Sequence, residues 1–155
     1  MLVILPKAPA LNGLRGVPSV ESLSAALSRR KKKISDLAKS PVATEGEQGS
    51  LVSWIMLDAA LSVFEQQTLI RKGLQLLLAE KPEEIAVAVF GPAPQRRRAA
   101  ELAVFSSWAN GVRLPERKKQ SDAVPLKRVR LYGYRAPDGF ARQRAVAEGD
   151  RKSVV

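Results

Sequence analysis

Residues 51–91, LVSWIMLDAALSVFEQQTLIRKGLQLLLAEKPEEIAVAVFG, constrain the fold more than any other stretch of this chain. LVSWIML is a short apolar run suited to a buried strand, and IAVAVF at 85–90 is a second. Between them Ser62 and Glu65 form an S-x-x-E capping box, in which the hydroxyl satisfies an orphan backbone N–H and the carboxylate reaches back. Val63, Ile70, Leu74, Leu77 and Leu78 then recur at helical spacing. Lys81-Pro82 ends the helix, because proline disfavours helical geometry in its predecessor. Strand, helix and strand predict a βαβ unit, with a parallel pair and a right-handed crossover. The unit is a scaffold and holds no chemistry of its own.

On the N-terminal side, Met1 to Leu5 reads as an edge-adjacent strand ended by Pro6, and a Pro/Gly-punctuated loop follows. Ser19 is placed to cap a helix with Val20, Leu23 and Leu27 on its apolar face. That helix runs into Arg29-Arg30-Lys31-Lys32-Lys33, which suits the negative end of the helix dipole and reads as a solvated terminus. SPVATEGEQGS, at 40–50, is a loop by composition.

Beyond the central unit, Gly91-Pro92-Ala93-Pro94 forces a turn, and a helix is expected from Gln95 to Ala109. Leu102, Phe105 and Ala109 share one face, widened by Val104 and Trp108, with Asn110-Gly111 as a left-handed cap. A basic loop, LPERKKQSDAVP, leads to a strand expected from Lys127 to Gly133. A turn at Ala136-Pro137-Asp138-Gly139 precedes FARQRAVAEGD, which reads as the start of a helix.

Composition removes whole classes of chemistry. The 155 residues include no cysteine and no histidine, so there is no disulfide, no thiolate nucleophile and no imidazole base or ligand. No G-x-G-x-x-G, P-loop or G-x-S-x-G pattern occurs. Glu83 and Glu84 are adjacent and would point apart in a strand, and no acidic cluster has ligand spacing. Asp58 follows a strand's C-terminal end, where α/β sheets place their sites, but beside a capping box it reads as a turn residue. Trp54 and Trp108 fall on apolar faces and are expected in the core. The N-terminus lacks the basic-then-apolar layout of a signal peptide, and no run approaches the roughly 18 apolar residues of a membrane helix. The expectation is a soluble, cytoplasmic protein with no membrane partner.

The net charge of +11 is unevenly spread. Residues 51–91 carry three basic and five acidic side chains, whereas residues 92–155 carry 15 basic and six acidic ones. Arg96, Arg97 and Arg98 stand in the first turn of a helix, where arginine opposes the dipole at a cost of roughly 0.3 kcal/mol or more each. With Arg117, Lys118 and Lys119, and with Lys127, Arg128 and Arg130, they are candidate phosphate-contacting residues for DNA. If helix and strand lie side by side, the three groups form one basic surface. Little aromatic interleaving and no recognition-helix motif mean that such binding would be non-specific. The alternative is that these charges are solvated or meet acidic protein surfaces.

Three segments together resemble the N-terminal domain of the leucyl aminopeptidase (cytosol aminopeptidase) family of metallo-exopeptidases. They are WIMLDAALSVFEQQTLIRKGLQLLLAEKPEEIAVAVFG, AAELAVFSSWANGVRLPERKK, and PLKRVRLYG followed by RQRAVAEGD. Ile70-Arg71-Lys72, Pro115-Glu116-Arg117-Lys118-Lys119 and Ala147-Glu148-Gly149 stand in the family's order. The resemblance implies an α/β fold with a macrodomain-like mixed sheet flanked by helices over residues 1–139. Residues 140–155 would then start a linker helix toward an absent catalytic domain.

In that family the catalytic domain binds two divalent metals, Zn or Mn, assembles as a homohexamer and removes N-terminal amino acids from peptides. None of its metal-ligating motifs stands in this sequence, so no catalytic residue, metal ligand or cofactor is carried over. The implied function is a non-catalytic, truncated N-terminal domain acting in assembly or interaction, with the catalytic domain and sister subunits as partners. The rival readings are non-specific DNA binding and a macrodomain-like ADP-ribose binder, the latter weakened by the prolines of GPAPQ, which remove N–H donors. An apolar face around Phe140, Ala145 and Val146, with Val154 and Val155 beyond, is expected to be uncovered and to favour association.

Overall fold

A computed structural model describes residues 1–8, 10–14, 16–111, 125–143 and 145–147. The strands are β1 (Leu2–Pro6), β2 (Val42–Glu45), β3 (Leu51–Leu57), β4 (Glu84–Val89) and β5 (Arg128–Tyr132), and the long helices are α1 (Val20–Arg29), α2 (Val63–Leu78) and α3 (Ala93–Gly111). They form one five-stranded sheet in the order β2-β3-β1-β4-β5. β1, β3, β4 and β5 run parallel and β2 is antiparallel to β3, which is the mixed, helix-flanked α/β sheet expected from the sequence.

β1 is the central strand rather than an edge-adjacent one, and all of Leu2 to Leu5 is buried. Strands buried on both faces read as continuous apolar runs, and LVIL is such a run. Its centrality also corrects the βαβ reading: β3 and β4 are parallel but not paired, because β1 lies between them. β2 falls within the stretch expected to be a loop. Its Val42 and Thr44 alternate inward, and Trp54 Nε1 donates to Thr44 Oγ1 at 2.8 Å inside the core.

Alternation sends the strands' side chains to two cores. Leu2, Ile4, Ile55 and Val87 pack with Ile70 and Leu74 of α2 and Ala100 of α3. Val3, Leu5, Trp54 and Met56 pack with Leu23 and Leu27 of α1 on the other face. Each such large side chain contributes roughly 1.5–3 kcal/mol on burial.

The helix boundaries follow local chemistry, with corrections. The Ser62–Glu65 capping box is formed, the Ser62 N–H donating to Glu65 Oε2 at 2.9 Å. Val63, expected on the apolar face, is instead exposed beside the cap, and Gln66 and Leu69 take the inward positions. α2 ends at Leu78, and Lys81 turns the chain with φ of 52° before Pro82. Ser19 precedes α1 with φ of 60° and its side chain makes no cap hydrogen bond. α3 begins at Ala93, before the expected Gln95, because proline fits a first helical turn. Gly111 is still helical rather than a left-handed cap. α3 buries Leu102 and Val104, as expected, together with Ala99, Ala100, Ala103 and Ser107, whereas Phe105, Trp108 and Ala109 are half-buried, so small residues let α3 sit close to its neighbours. Gly73 does the same for α2, since a Cβ there would lie 2.9 Å from Leu2 Cδ1.

Candidate functional site

The carboxyl ends of β1, β3 and β4 are where an open parallel sheet leaves room for a ligand, since its helices diverge there. In this molecule those ends and the first turns of α2 and α3 enclose a cavity of about 310 Å³. Its walls are largely apolar, from Leu57, Leu61, Phe90 and Pro94, and its polar groups are Gln66, Gln95 and Arg98.

The β3-to-α2 wall is stitched by Asp58 and Gln66. Asp58 Oδ1 accepts from the Ala60 N–H at 2.9 Å and Oδ2 accepts from Lys7 Nζ at 2.8 Å. These hydrogen bonds, the Lys7 one foremost, hold the Asp58 carboxyl below its ordinary range. The sequence reading of Asp58 as a turn residue agrees with this Asx geometry. Gln66, only 5% exposed, donates Nε2 to the Leu61 carbonyl at 2.9 Å and to the Asp58 carbonyl at 3.4 Å.

The β4-to-α3 wall depends on Gly91, whose φ is +115°. A Cβ there would lie 2.8 Å from Pro6 Cβ, so glycine alone lets this turn pass the end of β1. Pro92 and Pro94 lack N–H groups, and Arg96 N already donates to the Pro92 carbonyl at 3.0 Å. The α3 N-terminus is therefore poor in donors for a phosphate.

The candidate phosphate-contacting residues separate. Arg97 pairs with Glu101 at 3.0 Å, and Arg96 donates Nη1 to the Gly133 carbonyl at 3.0 Å. Arg98 lines the cavity. Val129 and Leu131 pack on the α2–α3 core, so alternation turns Arg128 and Arg130 to the opposite side of the sheet from α3. There Glu84 accepts from Arg130 at 2.7 Å and from Arg128 at 3.4 Å; just before the two strands, Glu83 pairs with Lys127 at 3.0 Å. Helix and strand are thus neighbours, but their arginines do not share a face. Arg117, Lys118 and Lys119 lie outside the described residues, as do Glu148, Gly149, Val154 and Val155.

Glu83 and Glu84 serve these ion pairs, and among the described residues no three Asp or Glu side chains converge as a metal site would require. Trp54 is fully buried, whereas Trp108 is half-buried. Phe140 is half-buried against Tyr134, ring centroids 6.0 Å apart at 64°, while Ala145 and Val146 are exposed. Among the described residues, no helix is long and apolar enough to cross a membrane.

The molecule is therefore an α/β domain with helices on both faces of a mixed sheet and a small crevice at its parallel strand ends. Among solved structures it is similar to a tomato leucine aminopeptidase variant, with a TM-score of 0.65 and 16% identity over 95% of this chain. The chain spans only 32% of that protein's length. At this identity the likeness is one of fold. No family model matches the chain, and no curated protein sequence matches it.

The cavity escaped sequence reasoning because its lining comes from three distant segments. The one local signal was GPAPQ after a buried strand.

Proposed function

We propose that this chain is a non-catalytic domain of the leucyl aminopeptidase type, acting through assembly and interaction rather than turnover. The observation that carries the reading is the fold match, which takes in 95% of this chain but 32% of the aminopeptidase. A fold that forms one part of a larger enzyme is a natural interaction module. The ordered sequence resemblance to the family's N-terminal domain supports the same assignment. In the family the partners are a two-metal catalytic domain and sister subunits of a hexamer, and they are the partners proposed here.

Two features favour an associating role. Phe64 is 76% exposed on α2, and Val146 is 50% exposed beyond the β5 turn. Large apolar side chains left in water favour a covering partner. Sedimentation velocity over a concentration series tests this: the weight-average mass should rise with concentration, and Phe64→Ser should lower it. A chain that stays monomeric throughout contradicts the assembly role.

A further inference from the structure

The crevice at the strand ends has a polarity that the assembly reading does not use. Lys7 and Asp58, on the segments after β1 and β3, neutralise each other at 2.8 Å. Arg98, one turn into α3, has no hydrogen-bond or ion-pair partner among the described residues. The rim of the cavity therefore carries one exposed, unpaired positive charge beside apolar walls. Gln66 adds a second, independent feature. It is 5% exposed, both its side-chain hydrogen bonds use Nε2, and its Oε1 accepts none among the described residues. That oxygen is not sealed off like the orphaned Ser53 hydroxyl, so in the cavity wall it is open to accept a hydrogen bond from whatever fills the cavity.

We propose that this cavity binds a small organic carboxylate with an apolar body and a hydrogen-bond donor: the anion on Arg98, the donor on Gln66 Oε1, the body against Leu57, Leu61 and Phe90. A guanidinium matches a carboxylate by two parallel hydrogen bonds, which are shorter and stronger than neutral ones. Phosphate is the poorer fit, because the prolines at 92 and 94 leave few N–H donors at the α3 terminus. The volume of about 310 Å³ lies at the lower end of the roughly 300–1,000 Å³ range of small-molecule sites. The site is thus sized for a compact acid of the N-acyl or aryl amino acid kind, whose amide N–H supplies the donor. The inference stands on the cavity and is independent of any aminopeptidase relationship.

Calorimetric or NMR titration of the whole chain with N-acetyl-leucine, its uncharged amide N-acetyl-leucinamide, and ADP-ribose tests it. N-acetyl-leucine should bind, and the amide should bind roughly tenfold more weakly or worse, as expected for loss of a charge-assisted pair. Arg98→Ala should weaken the acid by a similar factor and leave the amide's affinity within about twofold. Arg98 is exposed, so its removal spares the core. Ala59→Trp, at the exposed rim, should abolish binding of both. Absence of N-acetyl-leucine binding up to millimolar concentration, equal binding of acid and amide, or tighter binding of ADP-ribose than of the acid would each overturn the proposal.

Discussion

Lys7 Nζ lies 2.8 Å from Asp58 Oδ2, joining the chain just beyond the central strand β1 to the chain just beyond β3. Lys7 is largely exposed, so the pair is a modest surface contact, yet it ties together the two strand ends that border the crevice. The Asp58 carboxyl is held below its ordinary value of 3.8, first by the Lys7 hydrogen bond and then by the Ala60 N–H. A depressed carboxyl contributes stability that is complete above the unfolded value and lost as pH falls through the folded one. Urea midpoints measured from neutral pH down to the acid limb should therefore fall less steeply below about pH 4 in Asp58→Asn than in the parent. Parallel acid limbs would mean that the pair contributes nothing.

Gly91→Ala should destabilise the chain by about 1–3 kcal/mol, since alanine must take a positive φ and also meet Pro6. Gly139, also at positive φ but with open space around it, should tolerate alanine better. Chemical denaturation of the two variants side by side reads the difference. Equal midpoints would show that contact with Pro6 is not what restricts Gly91.

Two buried hydroxyls should behave oppositely. Thr44→Val strands the Trp54 N–H, at a cost of about 1–3 kcal/mol. Ser53 Oγ is buried with no hydrogen-bond partner among the described residues, so Ser53→Ala should leave stability unchanged or raise it by about 1 kcal/mol. Thermal or urea unfolding of both variants checks the sign of each.

Arg128 and Arg130 share the Glu84 carboxylate, and Lys127 holds Glu83, so β5 offers a polyanion less charge than its sequence suggests. Replacing Glu83 and Glu84 by glutamine should raise affinity for duplex DNA and steepen its fall with salt. Mobility shifts across a salt series measure both. Strong, steeply salt-dependent binding by the parent chain, unchanged in the variant, would favour the DNA reading and show that these pairs do not limit it.

What the sequence disclosed and what it hid follow from the range of the forces involved. LVSWIML, IAVAVF and the Ser62–Glu65 box are local signals, and β3, β4 and α2 stand where they were expected. β2 was hidden because Pro41 and Gly46 bracket a strand whose stability comes from Trp54 across the ladder rather than from its own composition. Strand order is a property of distant pairings, so nothing in LVIL announced that β1 would separate β3 from β4. α3 was only partly legible: Leu102 and Val104 are buried as their spacing suggested, but most of the inward face is Ala99, Ala100, Ala103, Ser106 and Ser107, which hydrophobic periodicity underweights. The candidate site is the least legible part: Arg98 stood out only as one of three arginines, and its separation from Arg128 and Arg130 depends on which way a strand alternates.

If the domain associates rather than turns over substrate, as proposed, the purified chain with added Mn²⁺ or Zn²⁺ should not hydrolyse leucyl 4-nitroanilide. The expected rate is that of the metal-containing buffer alone, with or without chelator. Turnover that saturates with substrate, requires the metal and disappears with chelator would show the chain to be catalytic and overturn the proposed role.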